Sequence, residues 1–204
     1  MKMIRIIGKI PKNITIACSG GIDSMVFTHF LQQGKRNVKL AYFNHDTAHS
    51  REAEEFVKQY SQENKIKLFL GKMSGVKGRR SIEEFWRDER YNFFDSLDEK
   101  FIITCHHLDD CVETWLMSSI HGQSKLIPYN RGSRIHRPFL MTTKSQIKDY
   151  AERKNVSWAS DPSNKNTAFM RNHVRHNLMP QALKVNPGIR TTIRKKLLEK
   201  YGKM

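Results

Sequence analysis

The stretch that most constrains this chain is Ser19-Gly20-Gly21-Ile22-Asp23-Ser24, set directly after the apolar run Ile14-Thr15-Ile16-Ala17-Cys18. The run reads as a buried strand, and residues 25–33 read as the helix that follows. A strand, a tight glycine-lined turn and a helix in that order aim backbone N–H groups and the positive end of a helix dipole at one point. An anion is favoured there. Gly20 and Gly21 permit positive φ and a close backbone approach. Ser19 and Ser24 add hydroxyls, Ile22 completes the turn, and Asp23 is the candidate ligand for Mg²⁺ beside phosphates. Gly and Ser are also ordinary turn residues, so this stretch alone does not separate a phosphate cradle from a plain connection. Neither G-x-x-x-x-G-K-[ST] nor G-x-G-x-x-G occurs, which removes the Walker and dinucleotide forms of phosphate loop.

The pattern around the loop repeats. Strand-like runs at 14–18, 38–43, 66–70 and 101–105 alternate with helical patterns at 25–33, 51–63, 82–97 and 111–120. Short apolar strands alternating with helices predict an α/β fold, a Rossmann-like doubly wound parallel sheet covered on both faces. Ligands of such sheets bind at the carboxyl ends of the strands. The turns after Cys18, Phe43 and Cys105 are therefore expected to converge on one crevice. The division expected is a nucleotide-binding region over 1–125 and a basic C-terminal part of the same domain over 126–204. That part reads as a long loop at 123–137, helices at 144–153 and 189–201, and a turn at Asp161-Pro162-Ser163-Asn164.

Charge narrows the partners. The 204 residues hold 36 Lys plus Arg against 20 Asp plus Glu, a net charge of +16. That field attracts polyanions, nucleic acid first and an anionic membrane surface second. Three separated cysteines, Cys18, Cys105 and Cys111, form no C-x-x-C pair and fit a reducing compartment. No apolar run reaches the length of a membrane span, and the N-terminal residues do not read as a signal peptide, so the expected location is cytoplasmic.

Three further clusters carry chemistry. His106-His107-Leu108-Asp109-Asp110 precedes a helix continuing through Glu113 and Thr114. Acids there cap a helix N-terminus; functionally they form a carboxylate–imidazole cluster able to hold Mg²⁺ or move a proton. Zinc is disfavoured, because adjacent residues of a strand point to opposite faces. Ser81 with Glu84 resembles a capping box, and Arg87, Arg90 and Tyr91 follow at helical spacing. Arg87 and Arg90 suit either a salt-bridged surface or a phosphate or carboxylate ligand. Arg171 and Arg175, four apart, share a helix face suited either to RNA backbone or to solvent, with His173 and His176 read as RNA-contacting or structural.

Taken in order, the 19–24 loop, Asn44-His45, Arg87-Arg90-Tyr91, His106-His107-Leu108-Asp109-Asp110 with Glu113-Thr114, Arg137-Pro138-Phe139-Leu140, and Asp161-Pro162-Ser163-Asn164 with Arg171-Asn172 and Arg175 resemble the tRNA(Ile)-lysidine synthases, members of the N-type ATP pyrophosphatases. The resemblance implies the adenine nucleotide alpha hydrolase-like fold, and ATP with Mg²⁺. It implies an ATP-dependent ligase in which the wobble cytidine O2 of an isoleucine tRNA with a CAU anticodon attacks the α-phosphate. Pyrophosphate leaves, and the ε-amine of free lysine then displaces AMP from C2.

By that resemblance the 19–24 loop binds ATP and Asp110, Asp109 and Asp23 are catalytic. Asn44, His45, Arg87, Arg90, His107 and Glu113 line the substrate pocket, and Arg137, Asn164, Arg171, Asn172 and Arg175 meet tRNA. The chain departs from the family at Cys111, usually Gln, at Asp46, usually Gly, and at Gly122-Gln123-Ser124-Lys125. Ending at Met204, it reads as a short form without the usual C-terminal domains. Homodimer formation is left open. The alternatives are a tRNA thiolase acting on cytidine, which usually recruits a C-x-x-C pair or an iron–sulfur cluster, and a non-catalytic RNA-binding relative.

Overall fold

A computed structural model describes residues 3–79, 81–160, 167 and 170–202 of the chain. β1 (Asn13–Ala17) leads through the 19–24 loop into α1 (Ile22–Gln33). There follow β2 (Asn37–Asn44), α2 (Ala48–Glu63), β3 (Leu68–Lys72), α3 (Ile82–Ser96), β4 (Ile102–Thr104) and α4 (Leu108–Ile120). Two short strands, β5 (Asn130–Arg131) and β6 (Ile135–His136), precede α5 (Lys144–Lys154). After them come α6 (Met170–His173), a π-helical stretch Val174–Leu178, α7 (Met179–Val185) and α8 (Ile189–Tyr201).

The sheet order is β3-β2-β1-β4-β6-β5. All neighbours pair in parallel except β5 with β6. The chain winds outward from β1 to β3, returns to β4 beside β1, and continues to the opposite edge. The doubly wound parallel reading therefore holds, and its switch point lies between β1 and β4.

Strand periodicity decides the faces. Ile14, Ile16, Leu40, Tyr42 and Ile103 join α1, α2 and α5 in one core, where the Phe27 and Phe139 rings stack at 3.7 Å. Ala41 and Ile102 face the other way, against Tyr91 and Phe94 of α3. A third cluster packs Leu108, Cys111 and Val112 of α4 against Ile189, Ile193, Leu197 and Tyr201 of α8. Those four α8 residues are spaced by four and form one apolar stripe. Burying each such aliphatic or aromatic side chain stabilises by about 1.5–3 kcal/mol, enough to fix α8 to the domain.

Differences from the sequence reading have local causes. The third strand lies at Leu68–Lys72 rather than 66–70, because Ile66 N–H and C=O are both bonded to Ser61 at the end of α2. The expected loop at 123–137 contributes β5 and β6, so the sheet continues across the 125/126 division. Residues 170–185 are helical; the spacing of Arg171 and Arg175 indicates a helix over its first turns, and the continuation to Val185 goes beyond that reading. Among the described residues, no helix is long and apolar enough to cross a membrane.

Candidate functional site

α1 begins at Gly21 with no side chain capping its first turn. Among the described residues the N–H groups of Ile22, Asp23 and Ser24 meet no side-chain acceptor, and Gly21 N–H has only the Ser19 hydroxyl at 3.4 Å. Gly20 has φ +75°, and a Cβ there would lie 3.3 Å from Val57 Cγ2 and 3.5 Å from the Ala53 carbonyl, so the loop needs glycine twice over. The Ser24 side chain is buried; its Oγ donates to Gly21 O at 2.9 Å and accepts from Ser19 N–H at 3.2 Å. Ser24 thus braces the loop from inside, whereas Ser19 is exposed. Asp23 is partly exposed, and its Oδ1 accepts from Lys144 Nζ at 2.6 Å.

α4 opens directly opposite. Its N-cap is His107, not one of the two aspartates. The Asp110 carboxylate accepts from His107 N–H at 2.8 Å while Asp110 N–H donates to His107 Nδ1 at 3.4 Å, a reciprocal capping box. His107 Nε2 lies 3.7 Å from Asp23 Oδ1, which joins the β4 turn to the β1 loop. Asp109 uses both oxygens: Oδ2 accepts from Lys144 N–H at 2.7 Å, and Oδ1 accepts from Arg190 Nε at 2.8 Å.

One turn further along α4, Glu113 is almost wholly buried. Arg175 Nε reaches Glu113 Oε1 at 2.7 Å and Arg171 Nε reaches Oε2 at 3.2 Å. Both guanidiniums also approach Asp110 Oδ1, at 3.2 and 3.3 Å. Burial pushes the Asp110 carboxyl up, but His107, Arg171, His106 and the His107 N–H outweigh it and hold it well below the carboxylate range. Burial likewise opposes the charge of Arg171 and Arg175, yet Asp110 and Glu113 raise both guanidiniums above their ordinary value. The Asp110 carboxylate and the two guanidiniums are thereby held in their charged forms.

The third border is formed by the end of β2 and by α3. Asn44 is buried; its Oδ1 accepts from Asp46 N–H and from Ser50 Oγ–H, each at 2.7 Å, and its Nδ2 donates to Glu54. Its amide therefore braces the β2–α2 turn instead of standing free for a ligand. Asp46 has φ +59°, the left-handed conformation that the usual Gly adopts without strain. His45 lies 5.1 Å from the Phe43 ring and 5.5 Å from Trp86. Burial, then the charge of Arg90, lowers its pKa to about 4, so it is neutral near pH 7.

Arg90 is half-buried and has no carboxylate partner among the described residues; its guanidinium lies 5.7 Å from the Tyr91 ring centroid. Burial lowers its pKa; Tyr91 opposes that shift, while Arg171, Arg87 and Arg137 add to it. Arg87 is exposed. Among the described residues no carboxylate pairs with Arg90 or Arg87, which makes this wall a setting for a phosphate or carboxylate.

Three of the residues expected at tRNA make internal contacts in the structure. Arg137 is buried, donating to Tyr91 Oη at 3.0 Å and to Pro128 O at 2.8 Å, because the guanidinium fork satisfies interior acceptors. Arg171 and Arg175 turn inward to the acids, although about a third of each side chain remains exposed, 39% and 34%. Asn172 neighbours Arg171 on α6, and Asn164 lies outside the described residues. Cys111 is wholly buried in the α4–α8 core, so its departure from the family pattern does not reach the crevice. Sequence reasoning missed Lys144 and Arg190, whose partners are remote in sequence. As a hard oxygen donor facing the crevice, Asp23 fits Mg²⁺, which takes one or two carboxylates and completes its shell with phosphates. Among the described residues no cluster of three or more His, Cys, Asp or Glu is arranged for a metal.

An uncapped helix start beside the switch point of a parallel sheet, faced by acids from the neighbouring strand end, defines a nucleotide-binding α/β domain. Residues 2–182 match the family described as the PP-loop domain, and the chain belongs to that family, which implies use of ATP. The chain is 37% identical over 192 residues to a tRNA(Ile)-lysidine synthase of Persephonella marina, covering 86% of this chain and 42% of the relative. A tRNA(Ile)-lysidine synthase of Exiguobacterium sibiricum is 30% identical, with 88% and 46% covered. The chain thus spans less than half the length of these curated relatives. Among solved structures, an NH3-dependent NAD synthetase from Campylobacter jejuni in complex with the nitrate ion superposes with a TM-score of 0.51 at 14% identity. That match covers 96% of this chain and 86% of the other, a likeness of fold.

Proposed function

We propose that this chain carries the catalytic centre of a tRNA(Ile)-lysidine synthase, joining lysine to the wobble cytidine of an isoleucine tRNA at the expense of ATP. The observation that carries the reading is the buried Asp110–Glu113 acid cluster, clamped by Arg171 and Arg175, beside the glycine-lined start of α1 and linked to it by the 3.7 Å approach of His107 to Asp23. The names of the relatives support the same reading.

In this account the N–H groups of the 19–24 loop receive the ATP phosphates and stabilise charge that grows on the leaving pyrophosphate. Asp23 would hold Mg²⁺, which when bound offsets phosphate charge. Arg90 and Arg87 take a phosphate or the lysine carboxylate. Cytidine O2 bonds to the α-phosphorus as the bond to pyrophosphate breaks. The lysine amine then bonds to C2 and AMP departs. That amine arrives protonated, since its solution pKa is about 10.4. Asp110 and Glu113 bind the ammonium by exchanging part of their contact with Arg171 and Arg175, and a carboxylate accepts the proton as the amine attacks. The exchanged guanidiniums and the exposed Lys195, Lys196 and Lys200 of α8 are then available to tRNA phosphates. An anticodon loop is single-stranded, so its base enters the crevice at modest cost.

Incubation with ATP, labelled lysine and total tRNA tests the reading. Label recovered in a single modified cytidine is the expected result. ATP turnover with no lysine entering tRNA would rule it out.

A further inference from the structure

We infer that Arg190, on the C-terminal helix, is a positioning residue of the nucleotide loop, acting through Asp109 and Lys144 on Asp23. Four residues on four elements stand in series. Arg190 Nε and Nη2 lie 2.8 and 2.7 Å from Asp109 Oδ1. The other oxygen of Asp109 accepts from the backbone N–H of Lys144, the first residue of α5, at 2.7 Å. The side chain of that same Lys144 holds Asp23 Oδ1 at 2.6 Å, inside the phosphate loop.

The chemistry of each link gives it direction. Asp109 is buried and spends both oxygens on protein donors, so it acts as a bracket rather than as a free acid. Its negative charge at the first turn of α5 complements that helix dipole and fixes where Lys144 starts. Without Arg190, the buried Asp109 carboxylate would keep, among the described residues, the Lys144 N–H as its one hydrogen-bond donor, with His107 Nδ1 no nearer than 4.0 Å, and buried charge tolerates that poorly. Asp109 would turn, the start of α5 would lose its anchor, and Lys144 would no longer hold Asp23 in place. Arg190 can do this because Ile189 and Ile193 seat its helix against α4, the helix that carries Asp109. A merely structural α8 needs only that apolar stripe; the guanidinium adds aim.

The inference rests on the nucleotide role of the 19–24 loop, and two readouts on the full chain separate the two ideas. The first needs no nucleotide. In ATP-free protein, the amide resonances of Lys144 and Asp23 should move in Arg190→Met and return toward the original positions in Arg190→Lys, which restores a cation to Asp109. Resonances unchanged in Arg190→Met would overturn the relay whether or not the loop binds ATP. The second is titration with a fluorescent ATP analogue and Mg²⁺. Arg190→Met should weaken binding about 10-fold, with Arg190→Lys recovering to within about 3-fold, as for other residues that orient a ligand-bearing group. Equal weakening in both variants, tracking a fall in their melting temperatures, would assign Arg190 to stability alone and overturn the proposal. Adding Asp109→Asn to Arg190→Met should weaken binding no further, because both act through one chain. Additive losses would contradict the series.

Discussion

α1 and α4 start from adjacent strand ends in the same crevice, and they are finished in opposite ways. α1 begins at Gly21 with no side-chain cap among the described residues. α4 begins at His107, with Asp110 folded back on the cap and two arginines on the acids behind it. The same backbone device therefore yields two poles. A helix start serves anions only where the chain leaves its N–H groups uncapped. Where a carboxylate already occupies that end, the surplus negative charge turns outward to cations instead. A crevice with one pole of each kind can hold a phosphate chain and an ammonium group together.

The comparison can be broken from the acid side first. Replacing Arg171 and Arg175 together with Ala strands Glu113, whose side chain is 1% exposed, without a cation. The expected loss is about 3 kcal/mol, the low end for opening a buried pair, because the guanidiniums are themselves partly solvated. Urea unfolding reads it, and a loss under about 1 kcal/mol would mean the acid pole does not depend on them.

Acid titration sharpens the picture further. Folding moves His45 from 6.5 down to about 4 and His106 down to about 3, in each case chiefly through burial. The unfolded chain therefore binds these protons first as pH falls. Stability is complete above pH 6.5 and declines as pH drops toward 4, and carboxylates such as Asp110 add their share only below that range. His45→Asn should flatten the decline measured between pH 6.5 and 5; an unaltered slope would remove His45 from it.

Smaller effects are expected on the anion side. Gly20→Ala forces a left-handed torsion and presses on Val57, which should cost about 1–2 kcal/mol and weaken ATP binding more than a control at Gly122, where φ is also positive but space is open. Equal effects at the two glycines would show that the loop needs only the torsion. Smallest is Asp46→Gly, which releases φ +59° and loses an exposed pair with Arg51. We expect a gain or loss within about 1 kcal/mol in thermal unfolding and no change in ATP affinity. A large loss of affinity would bring the β2 turn into the nucleotide site.

Legibility in the sequence followed distance along the chain. The 19–24 loop was readable because strand, turn and helix are contiguous, and the alternation of elements gave the parallel sheet. The acidic start of α4 was readable too, but not its polarity: His107 became the cap because the Asp110 side chain reaches back three residues, a choice both arrangements satisfy. Contacts of long sequence separation were invisible. Lys144 meets Asp23 across 121 positions and Arg190 meets Asp109 across 81, and no periodicity encodes either. Arg137 is expected at tRNA only through the family resemblance, and carbonyl and phenol acceptors let the structure bury it. β5 and β6 have two residues each, too few to express a strand period.

The contrast between the two helix starts is tested most directly by following backbone amide resonances while Mg·ATP is added to the full chain. The account predicts that the largest shifts fall on Gly20, Gly21, Ile22 and Asp23, with smaller ones at Leu108, Asp109 and Asp110. Largest shifts at the start of α4, or none at the start of α1, would contradict it.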